Sequence, residues 1–363
     1  MRIIHVFRGA MGGVLRHVCD QVQGQADAGH DIGIICDSLT GGEAAAEKLA
    51  TLKPLCALGI ERIAIANAPG LSDFRGLAHT AAFARRVKAD ILHGHGAKGG
   101  LFARLAARKL GLASVYTPHG GSLHYEWRSP KGALFLGTEK LLRVKGSGLV
   151  FVCEFERDAF AQKVGIGACP TAVIYNGLGP DDFKPRQLSA NSSDLLFVGE
   201  MRAIKGVDVL LNALALIEAG QRPSLTLVGD GPQEAEFAAL AQSLGLSAHV
   251  TFAGRKPMAE AMALGRILVV PSRRESFPYV VIEAMAASIR IIASDVGGIA
   301  EALPANRLFP AQNIKALAQK LRAEIVSKST HLTETEKLRS VAAERFSTAH
   351  MVADTLAFYE RLV

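Results

Sequence analysis

The segment from Ile267 to Leu303, ILVVPSRRESFPYVVIEAMAASIRIIASDVGGIAEAL, restricts what this chain can fold into more than any other. Four apolar residues, Ile267 to Val270, run straight into Pro271. A strand buried on both faces reads as such an unbroken run, and this one ends at a loop where a ligand can sit. The loop carries Arg273, Arg274 and Glu275. Pro278 then falls where a first helical residue belongs, its missing N–H costing nothing there, and Tyr279 to Ala287 reads as a helix. The free N–H groups at that helix start, with the positive end of its dipole, form an anion site that suits a diphosphate. Glu275 and Glu283, one on the loop and one on the helix, flank the site and can accept hydrogen bonds from sugar hydroxyls. A second strand, Arg290 to Ser294, leads into Asp295-Val296-Gly297-Gly298, a turn where backbone can approach a ligand closely.

A length of 363 residues predicts two domains or one large one, and 49% hydrophobic content is ample for buried cores. No apolar run approaches a membrane span, and MRIIHVFRG is broken too early by Arg8 and Gly9 for a secretory signal, so the chain is expected in the cytoplasm. Cys19, Cys36, Cys56, Cys153 and Cys169 are odd in number, scattered and without a C-x-x-C pair. That pattern argues against a disulfide framework and against a cysteine-based zinc site.

In chain order, Arg2 to Phe7 reads as a strand, followed by a loop with Gly12-Gly13 and a helix from Val14 to about Ala28 that Gly29 ends. The glycine pair is either an anion-binding loop or a plain tight turn, since it lacks the spacing of the dinucleotide fingerprint. Asp90-Ile91-Leu92-His93-Gly94-His95-Gly96 and Val115-Tyr116-Thr117-Pro118-His119-Gly120-Gly121 each end a strand, which puts their histidines on the ligand side of a parallel sheet. The three histidines have no carboxylate or fourth ligand at a usual metal-site spacing, and hydrogen bonding inside the fold is an equal reading for His93 and His95. Pro180 to Ser193, rich in Asp, Pro, Ser and Asn, reads as a linker. Asp194 to Gly199 then starts a second domain, and the loop after it carries Arg202 and Lys205 beside a helix start, where two cations can neutralise a leaving diphosphate. Two further strands end in Gly229-Asp230-Gly231-Pro232 and Gly254-Arg255-Lys256-Pro257. Ser347 reads as the N-cap of a last helix that runs to Val363.

With Ser276, Phe277, Pro278, Ala284, Met285, Gly297, Gly298 and Glu301, the opening segment resembles the retaining glycosyltransferases of family four; the V-I-Y-N-G-L stretch and the T-P-H-G motif add to the likeness. The departures are local: Ser288 and Arg290 stand where the family usually has Gly and Pro, and Glu200 where it more often has an arginine. The resemblance implies an α/β protein of the GT-B fold, with two doubly wound Rossmann-like domains facing a central cleft and a C-terminal helix crossing back to the first. It places an acceptor-side domain at 1–183 with helix 347–363, and a nucleotide-sugar-binding domain at 184–346. It implies transfer of a hexose-type sugar from a nucleotide-diphosphate sugar, UDP-sugar by default, with retention. His119 would lie beside the transferred sugar with the H-x-H motif lining the same cleft, and Glu275 would bind that sugar. Arg202 and Lys205 would meet the leaving diphosphate. The donor would also touch Gly12, Gly13, Gly229, Gly231, Arg255, Phe277, Pro278 and Tyr279, and Glu283 would hold its ribose. With no Asp-x-Asp triplet to hold a divalent ion, no cofactor and no metal are expected for the transfer. A sugar-nucleotide epimerase of similar shape, or a non-catalytic sugar-nucleotide binder, are the alternatives.

Charge adds an expectation about the acceptor. Between Arg75 and Lys145 thirteen basic residues face three acidic ones, whereas the whole chain is only +7. Tyr125, Trp127, Leu134, Phe135, Leu136, Leu141 and Leu142 lie among Arg128, Lys131, Lys140, Arg143 and Lys145. Such a surface suits an anionic membrane face and a lipid-linked acceptor of lipopolysaccharide or exopolysaccharide synthesis, or equally it is a basic solvated face or the binding surface of an anionic soluble acceptor. No recognised nucleic-acid-binding module accompanies the charge, so no nucleic-acid partner is expected.

Overall fold

In the computed structural model, which describes residues 1–143, 147–184, 186–326 and 332–363, the chain divides into two units. Met1–Gly177 together with Ser347–Val363 form the first, and Leu178–Phe346 the second. The change-over comes at Gly177 rather than at the expected junction after 183. The turn Pro180–Phe183 belongs with the second unit, where the Arg339 guanidinium donates to the Phe183 carbonyl and lies over its ring.

The first unit holds strands β1 (Arg2–Phe7), β2 (Asp31–Asp37), β3 (Gly59–Ile63), β4 (Ile91–His95), β5 (Ala113–Thr117), β6 (Ser147–Phe151) and β7 (Thr171–Val173). They pair in parallel in the order β3-β2-β1-β4-β5-β6-β7. Alternation along β1 decides which core each side chain enters: Ile3 and Phe7 join Val18, Val22 and Ile34 on one face, while Ile4 and Val6 join Phe83, Ala84 and Phe102 on the other. A sheet covered on both faces needs apolar residues at every position, which is why its strands read as unbroken runs.

The tail returns to this unit. Ser347 caps the helix Thr348–Glu360, its hydroxyl accepting the His350 N–H at 3.1 Å, as the sequence predicts. That helix packs on Gly12–Asp27, where a Cβ on Gly24 would stand 2.6 Å from Val352 Cγ2.

The second unit repeats the plan with β8 (Ser193–Val198), β9 (Leu225–Val228), β10 (Val250–Phe252), β11 (Gly265–Val270), β12 (Arg290–Ser294) and β13 (Leu308–Phe309), parallel in the order β10-β9-β8-β11-β12-β13. Its core gathers Leu195, Phe197, Leu210, Leu214, Leu227 and Val269. In both sheets the winding reverses once, between β1 and β4 and between β8 and β11. Successive connections leave such a point in opposite directions, so the loops at the carboxyl ends of those strands part and leave a crevice.

Candidate active site

The β8/β11 crevice is lined by the loops Gly199–Gly206 and Pro271–Pro278. The first ends in a short 3-10 turn, Ala203–Lys205, before the helix Val207–Ala215. Lys205 Nζ donates to Glu275 Oε1 at 2.6 Å, and the Ser272 hydroxyl donates to the same oxygen at 2.7 Å. The Glu275 side chain is 10% exposed, and that of Lys205 29%. Ser294, at the end of β12, donates to the Ser272 carbonyl at 2.6 Å and holds the loop from below. Arg273, which sequence alone leaves as one charge among three, is a staple: its guanidinium donates to Asp208 Oδ1 at 2.8 Å and Oδ2 at 2.6 Å, and to the Ala203 carbonyl. Its own N–H donates to the Ile204 carbonyl at 2.8 Å. Burial would raise the Asp208 pKa, but the Arg273 hydrogen bonds outweigh it and hold the carboxyl below its usual range.

The helix after this loop spans Tyr279–Ala286, starting at Tyr279 as expected, with Pro278 as its N-cap rather than its first helical residue. Its free N–H groups still open beside Glu275. Glu283 lies on this helix, 4% exposed. Phe277 is a correction: it packs edge-on against Phe346 with ring centroids 5.1 Å apart, so its side chain belongs to the core and only its backbone is left for a ligand. Tyr279 is likewise buried. Arg202 is exposed and sits 3.5 Å from Glu200, and Arg255 donates to Asp230 Oδ1 at 3.1 Å on the surface. Gly229 and Gly231 are explained by packing between loops: a Cβ on Gly229 would stand 1.9 Å from the Gly199 carbonyl oxygen, and one on Gly231 2.7 Å from the Met201 nitrogen.

In the first unit, Gly12 and Gly13 are exposed at the start of the helix Gly12–Asp27. Gly12 has φ +62°, and a Cβ added there would meet nothing within 4 Å, which leaves room for a ligand. At the β1/β4 crevice the structure gathers five histidines, two more than the motifs suggest: His5 from β1, His17 from the helix after it, His93 and His95 from β4, and His119 after β5. His93 and His95 do not line an open surface. Both are buried, His93 between the Tyr359 hydroxyl and Thr117 Oγ1. His119 is half-buried in the left-handed backbone region at φ +51°. Its turn is held by the Glu156 carboxylate, which accepts the Gly120 and Val152 N–H groups. Burial depresses all five imidazoles, His5 and His17 to about 4 and the other three well below their ordinary value, so the cluster is neutral at pH 7.

Hydrogen-bond direction through this cluster can be traced from a backbone carbonyl, which only accepts. Thr355 Oγ1 donates to the Met351 carbonyl at 2.7 Å, so it accepts from Gln21 Nε2 at 2.9 Å. Gln21 Oε1 then accepts from Gln25 Nε2 at 2.8 Å, and Gln25 Oε1 accepts from His5 Nε2 at 2.9 Å. His5 Nδ1 must accept from His95 Nε2 at 3.0 Å, and His95 Nδ1 from His119 Nε2 at 3.1 Å. A hydroxyl on the last helix thus sets the tautomer of each ring as far as His119. Sequence reading misses this path, although His17, Gln21 and Gln25, spaced by four along one helix, were a visible polar stripe.

The basic stretch is thinner than its residue count. Lys98 is buried against Asp73 with Nζ to oxygen distances of 2.5 and 2.7 Å, and Arg104 pairs with Glu139 at 2.7 Å. Arg128, Lys131 and Lys140 are exposed and Arg143 half-exposed; Lys145 lies outside the described residues. Trp127, Leu134 and Leu141 are exposed beside them, Leu141 at 81%.

Two doubly wound units with a Lys–Glu pair and a helix start at a switch point define the class, a GT-B glycosyltransferase. Residues 11–182 match the family model Glycosyltransferase Family 4, and residues 180–338 match Glycosyl transferases group 1. A D-inositol 3-phosphate glycosyltransferase of Jonesia denitrificans is 30% identical over 310 residues, covering 75% of this chain and 72% of that protein. Among solved structures, Anabaena HepE in complex with UDP-glucose superposes with a TM-score of 0.82 at 21% identity, covering 98% of this chain and 99% of that one. WaaG, a glycosyltransferase involved in lipopolysaccharide biosynthesis, gives a TM-score of 0.72 at 16% identity, covering 98% of each chain. The chain belongs to glycosyltransferase family 4.

Proposed function

We propose that this glycosyltransferase moves a hexose-type sugar from a nucleotide-diphosphate sugar, UDP-sugar by default, to a saccharide or lipid-linked acceptor of the cell envelope, with retention at the sugar and without a metal ion. The observation that carries the reading is the Lys205–Glu275 pair, stapled by Ser272 and by Arg273–Asp208 at the β8/β11 switch point. A pair held this way is preorganised, so it need not be assembled as charge develops.

In this reading the donor lies across the second unit. Its diphosphate is met by Lys205, by Arg202 once that side chain leaves Glu200, and by the N–H groups at the start of Tyr279–Ala286. As the sugar–phosphate bond breaks, the electron pair goes to the phosphate oxygen, and these groups take up the charge. Glu275 accepts from hydroxyls of the transferred sugar, and its bonds to Lys205 and Ser272 hold the carboxylate in place beside them. Glu283 binds the ribose, and the Gly229, Gly231 and Arg255 loops flank the base. In the first unit, Gly12, Gly13 and His119 are the residues assigned to donor and sugar contact. The UDP-glucose complex of HepE supports the choice of donor, and WaaG supports an envelope acceptor.

Turnover with UDP-glucose and a saccharide acceptor tests the assignment. Lys205→Ala and Glu275→Ala are each expected to lower kcat on the order of a hundredfold or more, with the melting temperature close to wild type. Near-normal rates in both would end the assignment. Donor consumption without acceptor would instead favour an epimerase.

A further inference from the structure

We propose that His17, His95 and His119 form a three-imidazole site for a borderline divalent transition metal of the zinc class, apart from the Lys205–Glu275 pair of the second unit and sharing His119 with the sugar contact proposed above. Their ligand nitrogens lie within 4.8 Å of one another. The decisive atom is His17 Nε2. The His17 ring is 1% exposed, its Nδ1 faces Asn176 Oδ1 at 3.1 Å, and its Nε2 has no hydrogen-bond partner among the described residues. Because an amide oxygen only accepts, Nδ1 carries the proton and Nε2 presents a bare lone pair inside the protein. A buried acceptor left unmatched is destabilising, and a metal ion would remove that cost.

The second lone pair follows from the chain of donors that begins at Thr355. It makes His95 an Nε2–H donor to His5, which leaves the lone pair of His95 Nδ1 facing His119 Nε2, in the group that His17 completes. In His17 one nitrogen is free and the other N–H is donated to an acceptor that fixes the ring, the arrangement of a metal-bound histidine; in His95 the N–H is likewise donated, to His5, and the lone pair on Nδ1 accepts from His119 until a metal displaces that proton. His119 supplies the third nitrogen. Its Nε2 now donates to His95 Nδ1 at 3.1 Å, close to the spacing of about 3.4 Å between two nitrogens on one tetrahedral zinc. Metal binding would require the His119 Nε2 proton to leave and Nδ1 to take one up from water. This half-buried ring, the only one of the three not fully buried, can do that.

The donor set selects the ion. Three neutral imidazoles with no carboxylate suit zinc, cobalt, nickel or copper and not the oxygen-seeking magnesium or calcium. Three ligands also leave a fourth position for water. The neighbouring group of His5, His93 and His95 is a poorer candidate, since each of its three rings has a partner at both nitrogens, whereas His17 Nε2 has none among the described residues. A bound ion would clamp the left-handed His119 turn to the first helix and to β4.

Tag-free protein, stripped with chelator, is titrated with cobalt(II) while the visible ligand-field bands are recorded. One equivalent should produce the intense bands of a four-coordinate ion, and zinc should bleach them and raise the melting temperature. His119→Ala and His17→Gln should each abolish the bands while His350→Ala leaves them unchanged. Circular dichroism establishes that the variants fold, and His119→Ala, at the most exposed ligand, decides the case if His17→Gln does not. No saturable four-coordinate spectrum in the wild type, or the same spectrum in His119→Ala, overturns the site. Donor turnover plays no part in the readout, so the result stands apart from the proposed activity.

Discussion

Asp208 shows how one residue can be read two ways. In sequence it is an acidic side chain in the first turn of a helix, a modest dipole effect. In the structure it anchors Arg273 through both carboxylate oxygens and so joins the two loops that carry Lys205 and Glu275. Its folded pKa lies below the unfolded value, so the unfolded chain takes up a proton first as acid is added. The stability due to the pair is therefore fully present above the unfolded pKa and is lost as pH falls through it toward the folded one. The urea midpoint of Asp208→Asn is expected below wild type at neutral pH, with the two converging below about pH 4. A gap that stays constant with pH would contradict this. Arg273→Lys should weaken the same link, since an ammonium cannot reproduce the two-pronged geometry.

At the scale of elements, two glycines in the left-handed region separate backbone strain from close approach. Gly206 has φ +71°, and a Cβ there would stand 2.0 Å from the Pro271 carbonyl oxygen; Gly12 has φ +62° and open space. Gly12→Ala should thus cost only the strain, about 1–2 kcal/mol. Gly206→Ala must in addition push apart the β8 and β11 loops and is expected to cost on the order of 3 kcal/mol or more. Chemical denaturation of both variants compares them directly, and equal losses would mean the loops move apart freely. The last helix has a different part. By packing on Gly12–Asp27 it buries apolar area and also positions Thr355 and Tyr359 against the histidine cluster.

Across the whole molecule, no described helix is long and apolar enough to cross a membrane. The helix Pro130–Leu141 with the segment before it is where charge and exposed apolar side chains coincide, with Trp127, Leu134 and Leu141 among Arg128, Lys131 and Lys140. Each basic residue near an anionic interface contributes roughly 1 kcal/mol. Sedimentation with vesicles should therefore bring the protein down with anionic lipid at low salt and leave it in solution with neutral lipid. Changing Arg128, Lys131, Lys140 and Arg143 to serine should release it. Binding that ignores lipid charge, or that survives those changes, would remove the membrane from the account and leave a soluble anionic acceptor.

The parallel α/β plan, the strand ends and the capped last helix were all legible in the chain, because strands buried on both faces must be apolar throughout and caps and glycines mark where regular structure stops. The loops that carry Lys205, Glu275 and His119 could be placed for the same reason. What those side chains touch could not be. Lys205 and Glu275 are 70 residues apart, and the rings of His5 and His95 are 90 apart; such pairs meet only because β8 lies beside β11 and β1 beside β4. The same rule explains why Phe277 turned inward and why Lys98 and Arg104 left the basic surface. A residue's type and local spacing set what it can do, but burial and partners come from strands that are neighbours in the sheet and not in the chain.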